Sequence, residues 1–282
     1  MRASNRLLTL ALLGWAAAVL VHATLASSAQ VHFALSDAAE WIKYSTKNRS
    51  NCNIYIVGSS TVVFGLSAAD TQAATGCTTV NTGLLGIGNL VTSHLELVLR
   101  HTKPGDIVVV SDRNWSDLAV EHSYCARQAR FACFLTSLRI VPRLAEDANL
   151  VLEGNLPRSD QGDLLIFPPL AGEAIVMPNL RLADHAYRLQ VMAVQAQKIR
   201  ERGAVPILTT SPIFVAGADR DELLSQYTKF CAEVESTIGT GVWLDPLLLT
   251  DPNAFSLEGR HTSAAGRKAW TDQVVAALRQ KK

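Results

Sequence analysis

The segment from Asn53 to Ser60 reads Asn-Ile-Tyr-Ile-Val-Gly-Ser-Ser, and it constrains the fold of this chain more than any other. Its apolar, β-branched run is typical of a buried strand, and the run stops at Gly58, directly before two hydroxyl side chains. Glycine tolerates the positive φ of a sharp strand-to-helix turn, so we predict an exposed serine at the carboxyl end of this strand. In open α/β sheets, ligands bind at that end of the strands.

Strand-like and helix-like patterns alternate along the rest of the chain. Apolar runs at 78–81, 106–111, 205–209 and 242–245 predict strands that join the first strand, at 54–57. Helices are predicted over residues 90–102, 181–202, 219–238 and 263–280. Residues 36–45 are predicted to form a short helix or a linker, and residues 61–74 a short helix and a loop. Because strands that alternate with helices favour right-handed crossovers, we predict an α/β fold. Its expected form is a three-layer α/β/α sandwich with a central, mostly parallel five-stranded sheet.

The segment 115–180 is the least regular part of the sequence. Helices are predicted over 118–129 and 135–148, and the glycine- and proline-rich residues 149–180 indicate an irregular insertion or lid. No linker divides the chain, so residues 30–282 are expected to form a single domain. The 282 residues are 48% hydrophobic, which is enough for a sizeable core, and the net charge of +1 argues against a nucleic-acid partner.

The amino terminus has a different composition. Residues 7–26 carry no formal charge and follow Arg2 and Arg6, and their length suits a hydrocarbon core of about 30 Å. A signal anchor in the inner membrane fits this length, whereas cleavage after the small residues 27–29, before Gln30, would indicate a signal peptide. A buried core helix is disfavoured because the segment has no polar face. Either way we predict that the remainder is exported to a periplasmic or extracytoplasmic location.

Export permits disulfide bonds between the five cysteines. Cys52 and Cys77 precede the first two predicted strands, whose starts lie within bridging distance if the strands are parallel neighbours. Cys125 and Cys133 would form a second loop and leave Cys231 odd, and buried free thiols are the alternative. No spacing of cysteines or histidines indicates a metal, so neither metal nor cofactor is predicted.

The chemistry of the exposed serine depends on a base. The Ser60 hydroxyl is a poor nucleophile until a base accepts its proton, and His261 follows the last predicted strand at the same edge of the sheet. Glu258, three residues earlier, can accept a hydrogen bond from one ring nitrogen and leave the other facing the serine. The open alternatives are Ser59 as the nucleophile and Asp245 or Asp251 as the carboxylate.

An acyl-transfer site also needs donors for the developing oxyanion, each of which lowers the barrier by about 3 kcal/mol. Gly86 follows the second predicted strand, where its backbone N–H can serve, and Asn114 follows the third strand and offers a side-chain amide. A glycine for a tight turn and an asparagine that caps a loop are the simpler interpretations.

Four short blocks of this sequence are similar to those of the SGNH (GDSL-type) hydrolase superfamily. Gly58-Ser59-Ser60 resembles the first block, residues 81–86 the second, 106–114 the third and 258–261 the last. The resemblance implies a flavodoxin-like sheet, with Ser60 as the nucleophile and His261 as the base. It also implies an oxyanion hole made by the N–H groups of Ser60 and Gly86 and by the Asn114 amide.

Membrane-anchored relatives in this superfamily that modify exported polysaccharides often carry a Gly-Ser-Ser first block. The resemblance therefore implies a serine-type O-acetylesterase or O-acetyltransferase that acts on an envelope or extracellular polysaccharide, with polysaccharide-biosynthesis proteins as partners. No motif reports water exclusion, so hydrolysis and transfer both stay open. We expect Arg113 and Trp115, together with residues 149–180, to form the wall that faces the substrate.

The main alternative is a protein that keeps the SGNH fold without the chemistry and binds a glycan or a partner protein. Ser59 stands where the first block usually has Asp, and the third block lacks the usual Gly-x-Asn-Asp. These two departures are the sequence evidence for that alternative.

Overall fold

Among the described residues, four parallel strands form the central sheet. The computed structural model describes residues 12–17, 38–84, 91–111, 157–165, 185–214, 220–245, 247–255 and 261–280. The strands are β1 (Asn53–Gly58), β2 (Thr78–Asn81), β3 (Ile107–Ser111) and β4 (Val205–Thr209), in the order β2-β1-β3-β4. Every pairing between neighbours is parallel, so the carboxyl ends of the four strands lie at one edge of the sheet. The predicted α/β fold with a parallel sheet is confirmed.

Helices pack on both faces of this sheet. They are α1 (38–47), α2 (Ser60–Gly65), α3 (Ala68–Thr75), α4 (Val91–Leu99), α5 (His185–Glu201), α6 (Arg220–Ile238) and α7 (Ala264–Arg279). The side chains of β1 alternate between the faces, as the twofold period of a strand requires. Tyr55 and Val57 join a core with α1, α4, α5 and α6, whereas Ile54 and Ile56 join a second core with α2 and α7.

The run predicted as a strand at 242–245 contributes a single bridge to the sheet. Among the described residues, Trp243 alone makes an isolated parallel bridge there, to Leu208 at the free edge of β4. Two 2.8 Å hydrogen bonds form this bridge, from the Leu208 N–H to the Val242 carbonyl and from the Leu244 N–H to the Leu208 carbonyl. The run cannot extend further because Pro246 has no N–H to donate.

Two strands that the sequence did not predict form a separate pair. β5 (Ile213–Phe214) and β6 (Leu248–Leu249) are parallel neighbours just beyond the ends of β4 and of the 242–245 run. The segment predicted as one helix and a loop, 61–74, is instead the two helices α2 and α3. They separate at Ser67, whose hydroxyl accepts from the Asp70 N–H at 3.1 Å and thereby caps α3.

A disulfide bond joins Cys52 to Cys77, with the two Cα atoms 5.0 Å apart, as predicted from the neighbouring strand starts. Cys231 is a free cysteine. It accepts a 3.3 Å hydrogen bond from the Trp243 indole, and burial raises the pKa of its thiol to about 12. Cys125 and Cys133 lie outside the described residues.

Several other predictions concern residues that the structure does not describe. Residues 12–17 of the predicted membrane segment are helical, and the rest of 7–26 lies outside the described part. Within the described residues, no helix has the length and apolar character needed to cross a bilayer. The predicted helices at 118–129 and 135–148 also lie outside the described residues. Of the predicted insertion at 149–180, residues 157–165 are described and the others are not.

Candidate active site

The candidate nucleophile is the first residue of a helix that begins directly after β1. Ser60 opens α2 and is half-buried, at the carboxyl edge of the sheet where the sequence predicted it. Gly58 does not have the positive φ that we expected of this turn. It is needed for space, because a Cβ at this position would overlap the Ser111 carbonyl oxygen and the Val62 side chain.

His261 meets this serine from the other end of the chain. Its Nε2 lies 2.9 Å from the Ser60 Oγ, across a sequence separation of 201 residues. The histidine directly precedes α7, whose first turn is capped by the Ser263 hydroxyl. An antiparallel bridge pairs Phe255 with Thr262, the residue after the histidine. The structure thus brings together the two residues that the sequence analysis paired.

The helix that carries the serine also holds the histidine in place. The ring of Phe64, one turn after Ser60, lies against the His261 ring with the centroids 4.4 Å apart. The Thr262 hydroxyl donates to the Phe64 carbonyl at 2.9 Å, so the residue after the histidine is bonded to the same helix. Both partners of the Ser60–His261 contact are therefore positioned by one short element, α2.

The second serine of the turn makes a different contact. The Ser59 hydroxyl is 3.2 Å from the Thr61 hydroxyl, and its backbone occupies the N-cap position of α2 in an extended conformation. Both serines are half-buried, so burial does not distinguish them. The contact with the imidazole does distinguish them, and it favours Ser60 over Ser59 as the residue that a base can activate.

Close approach between α2 and α7 makes the serine–histidine contact geometrically feasible. A Cβ at Gly65 would overlap the Trp270 ring, and a Cβ at Gly266 would overlap the Ala254 carbonyl oxygen. Gly65 therefore lets α2 pack closely on α7, and Gly266 lets α7 pack closely on residues 252–254 before His261. Neither of them was singled out in the sequence analysis.

The remaining predicted site residues lie outside the described part of the chain. They are Glu258, Gly86, Asn114, Arg113 and Trp115. Of the alternative carboxylates, Asp245 is exposed, and Asp251 accepts hydrogen bonds from the backbone and side chain of Asn253 at 2.9 and 3.1 Å. The roles assigned to all of these residues stay predictions.

The segment that leads toward Gly86 runs beside the serine turn. The Thr82 N–H donates to the Ile56 carbonyl at 2.9 Å, and the Leu84 N–H donates to the Gly58 carbonyl at 3.0 Å. Residues 82–84 therefore continue the parallel pairing beyond the end of β2. This places the chain two residues before Gly86 next to the turn that carries Ser60.

A buried histidine supports the same segment. The Thr82 hydroxyl donates its hydrogen to the Ile56 carbonyl at 2.8 Å, so it accepts from the Nε2–H of His94 at 2.9 Å. Complete burial and, to a lesser extent, the positive charge of Arg158 lower the pKa of His94 to about 3. His94 is therefore neutral at ordinary pH and is a structural donor, which the sequence analysis did not identify.

The arrangement of Ser60 and His261 has a clear chemical capacity. A neutral imidazole at hydrogen-bond distance from a hydroxyl can accept its proton as the oxygen attacks an electrophile. No group of three or more histidine, cysteine or acidic side chains within the described residues could hold a metal ion.

The chain matches no protein-family model, no curated protein and no solved structure.

Proposed function

We propose that this chain is an exported serine-type acyl-ester enzyme, an O-acetylesterase or O-acetyltransferase that acts on an envelope or extracellular polysaccharide. The observation that carries the proposal is the 2.9 Å contact between the Ser60 hydroxyl and the His261 imidazole at the carboxyl edge of a parallel sheet. That edge is where open α/β sheets bind ligands. The resemblance of the four sequence blocks to the SGNH hydrolases supplies the substrate class.

The proposed reaction has two halves. His261 takes the proton of Ser60 while the serine oxygen attacks the acyl carbonyl, and the imidazolium then protonates the leaving alcohol. In the second half, His261 removes a proton from water or from a sugar hydroxyl, which attacks the acyl-serine and releases the acid or the new ester. The imidazolium returns its proton to the Ser60 oxygen, and the enzyme is restored.

The remaining site residues belong to the same proposal. Glu258 would orient the imidazole, and the N–H groups of Ser60 and Gly86 with the Asn114 amide would stabilise the oxyanion. The finer architecture of the superfamily, a five-stranded flavodoxin-like sheet, is proposed as well. It is supported by the strand order β2-β1-β3-β4 and by the parallel bridge that Trp243 makes beyond β4.

The direct test is covalent labelling by a serine-directed fluorophosphonate. We expect the parent protein to be labelled and Ser60→Ala to lose the label, because the Ser60 hydroxyl lies 2.9 Å from the imidazole that can activate it. Ser59→Ala is the matched control, since it removes a neighbouring, likewise half-buried hydroxyl that contacts Thr61. The labelling rate should rise with pH through a midpoint near about 6–7, as a histidine base loses its proton.

Hydrolysis of p-nitrophenyl acetate gives the second readout. If Ser60→Ala hydrolyses this ester at the parental rate, the assignment of the nucleophile is wrong. If the folded parent is neither labelled nor active, the result favours the glycan- or partner-binding alternative.

The location at the inner membrane is a separate part of the proposal. It rests on the uncharged residues 7–26 and on the basic flank that precedes them. Full-length protein should stay with the membrane fraction after alkaline extraction, and a variant without residues 1–29 should be soluble in the same extraction. Release of the full-length protein with an intact amino terminus would contradict the anchor, and a mature chain that begins at Gln30 would show cleavage.

A further inference from the structure

A loop from the predicted insertion docks onto the two elements that build the candidate site. Residues 157–165, here called the docking loop, close on themselves through an antiparallel bridge between Arg158 and Leu164. Gly162 turns the chain with a φ of 83°, and the Ser159 N–H donates to the Asp163 carbonyl at 2.8 Å. The sequence analysis predicted an irregular insertion or lid here, and these nine residues instead have a defined set of partners.

One side of the docking loop is attached to the outer edge of the sheet. The Asn81 N–H at the end of β2 donates to the Gln161 carbonyl at 2.7 Å. The Gln161 side chain also donates to the Thr79 carbonyl at 3.2 Å. A Cβ on Gly162 would overlap the Asn81 carbonyl oxygen, so the loop lies directly against the strand.

A buried ion pair fixes the other side of the docking loop. The Asp163 carboxylate is 7% exposed and accepts from the N–H groups of Ala68 and Ala69 at 2.7 and 2.8 Å, at the start of α3. It also lies 3.1 Å from the Arg267 guanidinium, on the first turns of α7. The charge of this carboxylate is thus matched by a helix amino terminus and by a buried cation.

The Asp163–Arg267 ion pair lies next to Leu164, which packs against the phenylalanine that contacts His261. Arg267 donates a 3.0 Å hydrogen bond to the carbonyl of Leu164, the residue next to Asp163. The Leu164 side chain is buried in a small cluster with Val63 and Phe64 of α2. Phe64 in turn lies against the His261 ring. A continuous path of contacts therefore leads from the Asp163–Arg267 pair through Leu164 and Phe64 to the imidazole.

The same loop also reaches the segment beside the serine turn. The Arg158 guanidinium donates to the Gly83 carbonyl at 2.9 Å, between the two residues that pair with the end of β1. It lies over the Trp41 ring of α1, 4.6 Å from the ring centroid. The docking loop therefore contacts structural elements on both sides of the Ser60–His261 site.

We propose that the docking loop is a positioning element for the candidate site, in which Leu164 holds Phe64 against His261 and the Asp163–Arg267 pair fixes Leu164. Its effect on rate rests on the proposed function, whereas its effect on the histidine's environment does not. Leu164, Asp163 and Arg267 are positioning residues, and none of them contacts substrate in this proposal.

The primary test compares Leu164→Ala with Leu278→Ala. Both leucines are buried, but Leu278 packs at the far end of α7, away from the site. We expect both variants to lose similar free energy of unfolding in urea. Leu164→Ala alone should shift the His261 ring-proton resonances and slow fluorophosphonate labelling about tenfold or more, because a displaced imidazole no longer faces the serine. The His261 resonances are assigned by their loss in His261→Gln.

Conservative and charge variants complete the test. Leu164→Met keeps most of the buried volume and should restore the parental resonances and labelling rate. Asp163→Asn should shift the His261 resonances in the same sense as Leu164→Ala. If Asp163→Asn does not fold, the comparison between Leu164→Ala, Leu164→Met and Leu278→Ala still decides the matter.

Two results would overturn the inference. The first is unchanged His261 resonances in Leu164→Ala, and the second is an equal shift in Leu278→Ala. The failure of the proposed function is recognised separately. A folded parent that is never labelled argues against the enzyme, while the resonance comparison between the variants still tests the positioning role of the docking loop.

Discussion

The two edges of the central sheet use polar groups in opposite ways. At the amino edge, the buried Asp106 carboxylate accepts hydrogen bonds from Arg49, from the Asn53 N–H and from the Lys103 N–H, at 2.7, 3.0 and 2.8 Å. At the carboxyl edge, the half-buried Ser60 hydroxyl and His261 imidazole lie 2.9 Å apart. The amino edge uses its carboxylate to join neighbouring chain segments, whereas the carboxyl edge places a hydroxyl beside a group that can accept its proton.

This contrast has an energetic meaning. A buried carboxylate destabilises a fold unless it is hydrogen-bonded, and the three donors to Asp106 meet that requirement. Ser60 and His261 are only half-buried, so less of the folding free energy depends on their contact. The amino edge is therefore expected to contribute stability, and the carboxyl edge the proposed chemistry.

The largest expected effect is the loss of labelling when His261, at the carboxyl edge, is replaced. His261→Gln replaces the base with an amide that cannot accept the serine proton, so fluorophosphonate labelling should fall about 10²–10⁴-fold. The free energy of unfolding should change by less than about 1 kcal/mol, because the side chain is only half-buried. Labelling rates and urea unfolding measure both quantities. A large loss of stability with unchanged labelling would mean that His261 stabilises the fold and does not act as the base.

The next effect concerns the disulfide at the amino edge. Replacing Cys52 and Cys77 with serine opens a loop that spans a sequence separation of 25, so the free energy of unfolding should fall by about 3–4 kcal/mol. Labelling of the folded protein should be unchanged, since the cysteines are at the opposite edge from Ser60. Cys231→Ser controls for the loss of a sulfur atom, and it should lower the free energy of unfolding by less than the double variant does. Slower labelling in the double variant would show that the edges are coupled.

A smaller loss is expected from Asp106→Asn. The amide removes the ion pair with Arg49 and one of the acceptor sites, which should cost about 2 kcal/mol in urea unfolding. Asp245→Asn, at an exposed carboxylate, should change stability by less than about 0.5 kcal/mol. Equal effects of the two variants would mean that the network at the amino edge contributes no stability.

The smallest effect is a dependence of stability on pH. Burial lowers the pKa of His94 to about 3 in the folded chain, whereas an unfolded histidine has a pKa of about 6.5. Its contribution is complete above pH 6.5 and is lost as the pH falls toward 3, because only the unfolded chain takes up the proton. Between pH 6.5 and 5.5 the parent should lose about 1 kcal/mol more than His94→Gln. Parallel urea curves at the two pH values provide the measurement, and identical losses in both proteins would contradict it.

The sequence predicted the parts of the fold that follow from local pattern. The strands at 78–81 and 205–209 have the predicted bounds, because short apolar runs between clear stops define buried parallel strands. The 242–245 run shows the limit of this reasoning. It has the composition of a strand, but the sheet extends there only by the Trp243 bridge, and pairing depends on tertiary contacts that the pattern does not report.

Only part of the candidate site could be predicted from the sequence. The pairing of Ser60 with His261 could be predicted from the sequence, because both residues follow predicted strands that were expected to end at one edge. The docking loop could not be predicted, because Asp163 and Arg267 are 104 positions apart and meet only through the packing of α3 and α7. In the sequence Asp163 is simply an acidic residue in a glycine- and proline-rich stretch. The assignments of Glu258, Gly86 and Asn114 stay predictions.

The contact between Gly65 and the Trp270 ring restricts how this chain can vary. An alanine at position 65 would need the space that the indole occupies, and moving the indole would displace the helix that begins beside His261. A methyl group at position 65 is therefore compatible with the same architecture only if position 270 carries a smaller side chain. The two positions are expected to change together, so a pair of substitutions far apart in sequence would be tolerated where the first one alone is not.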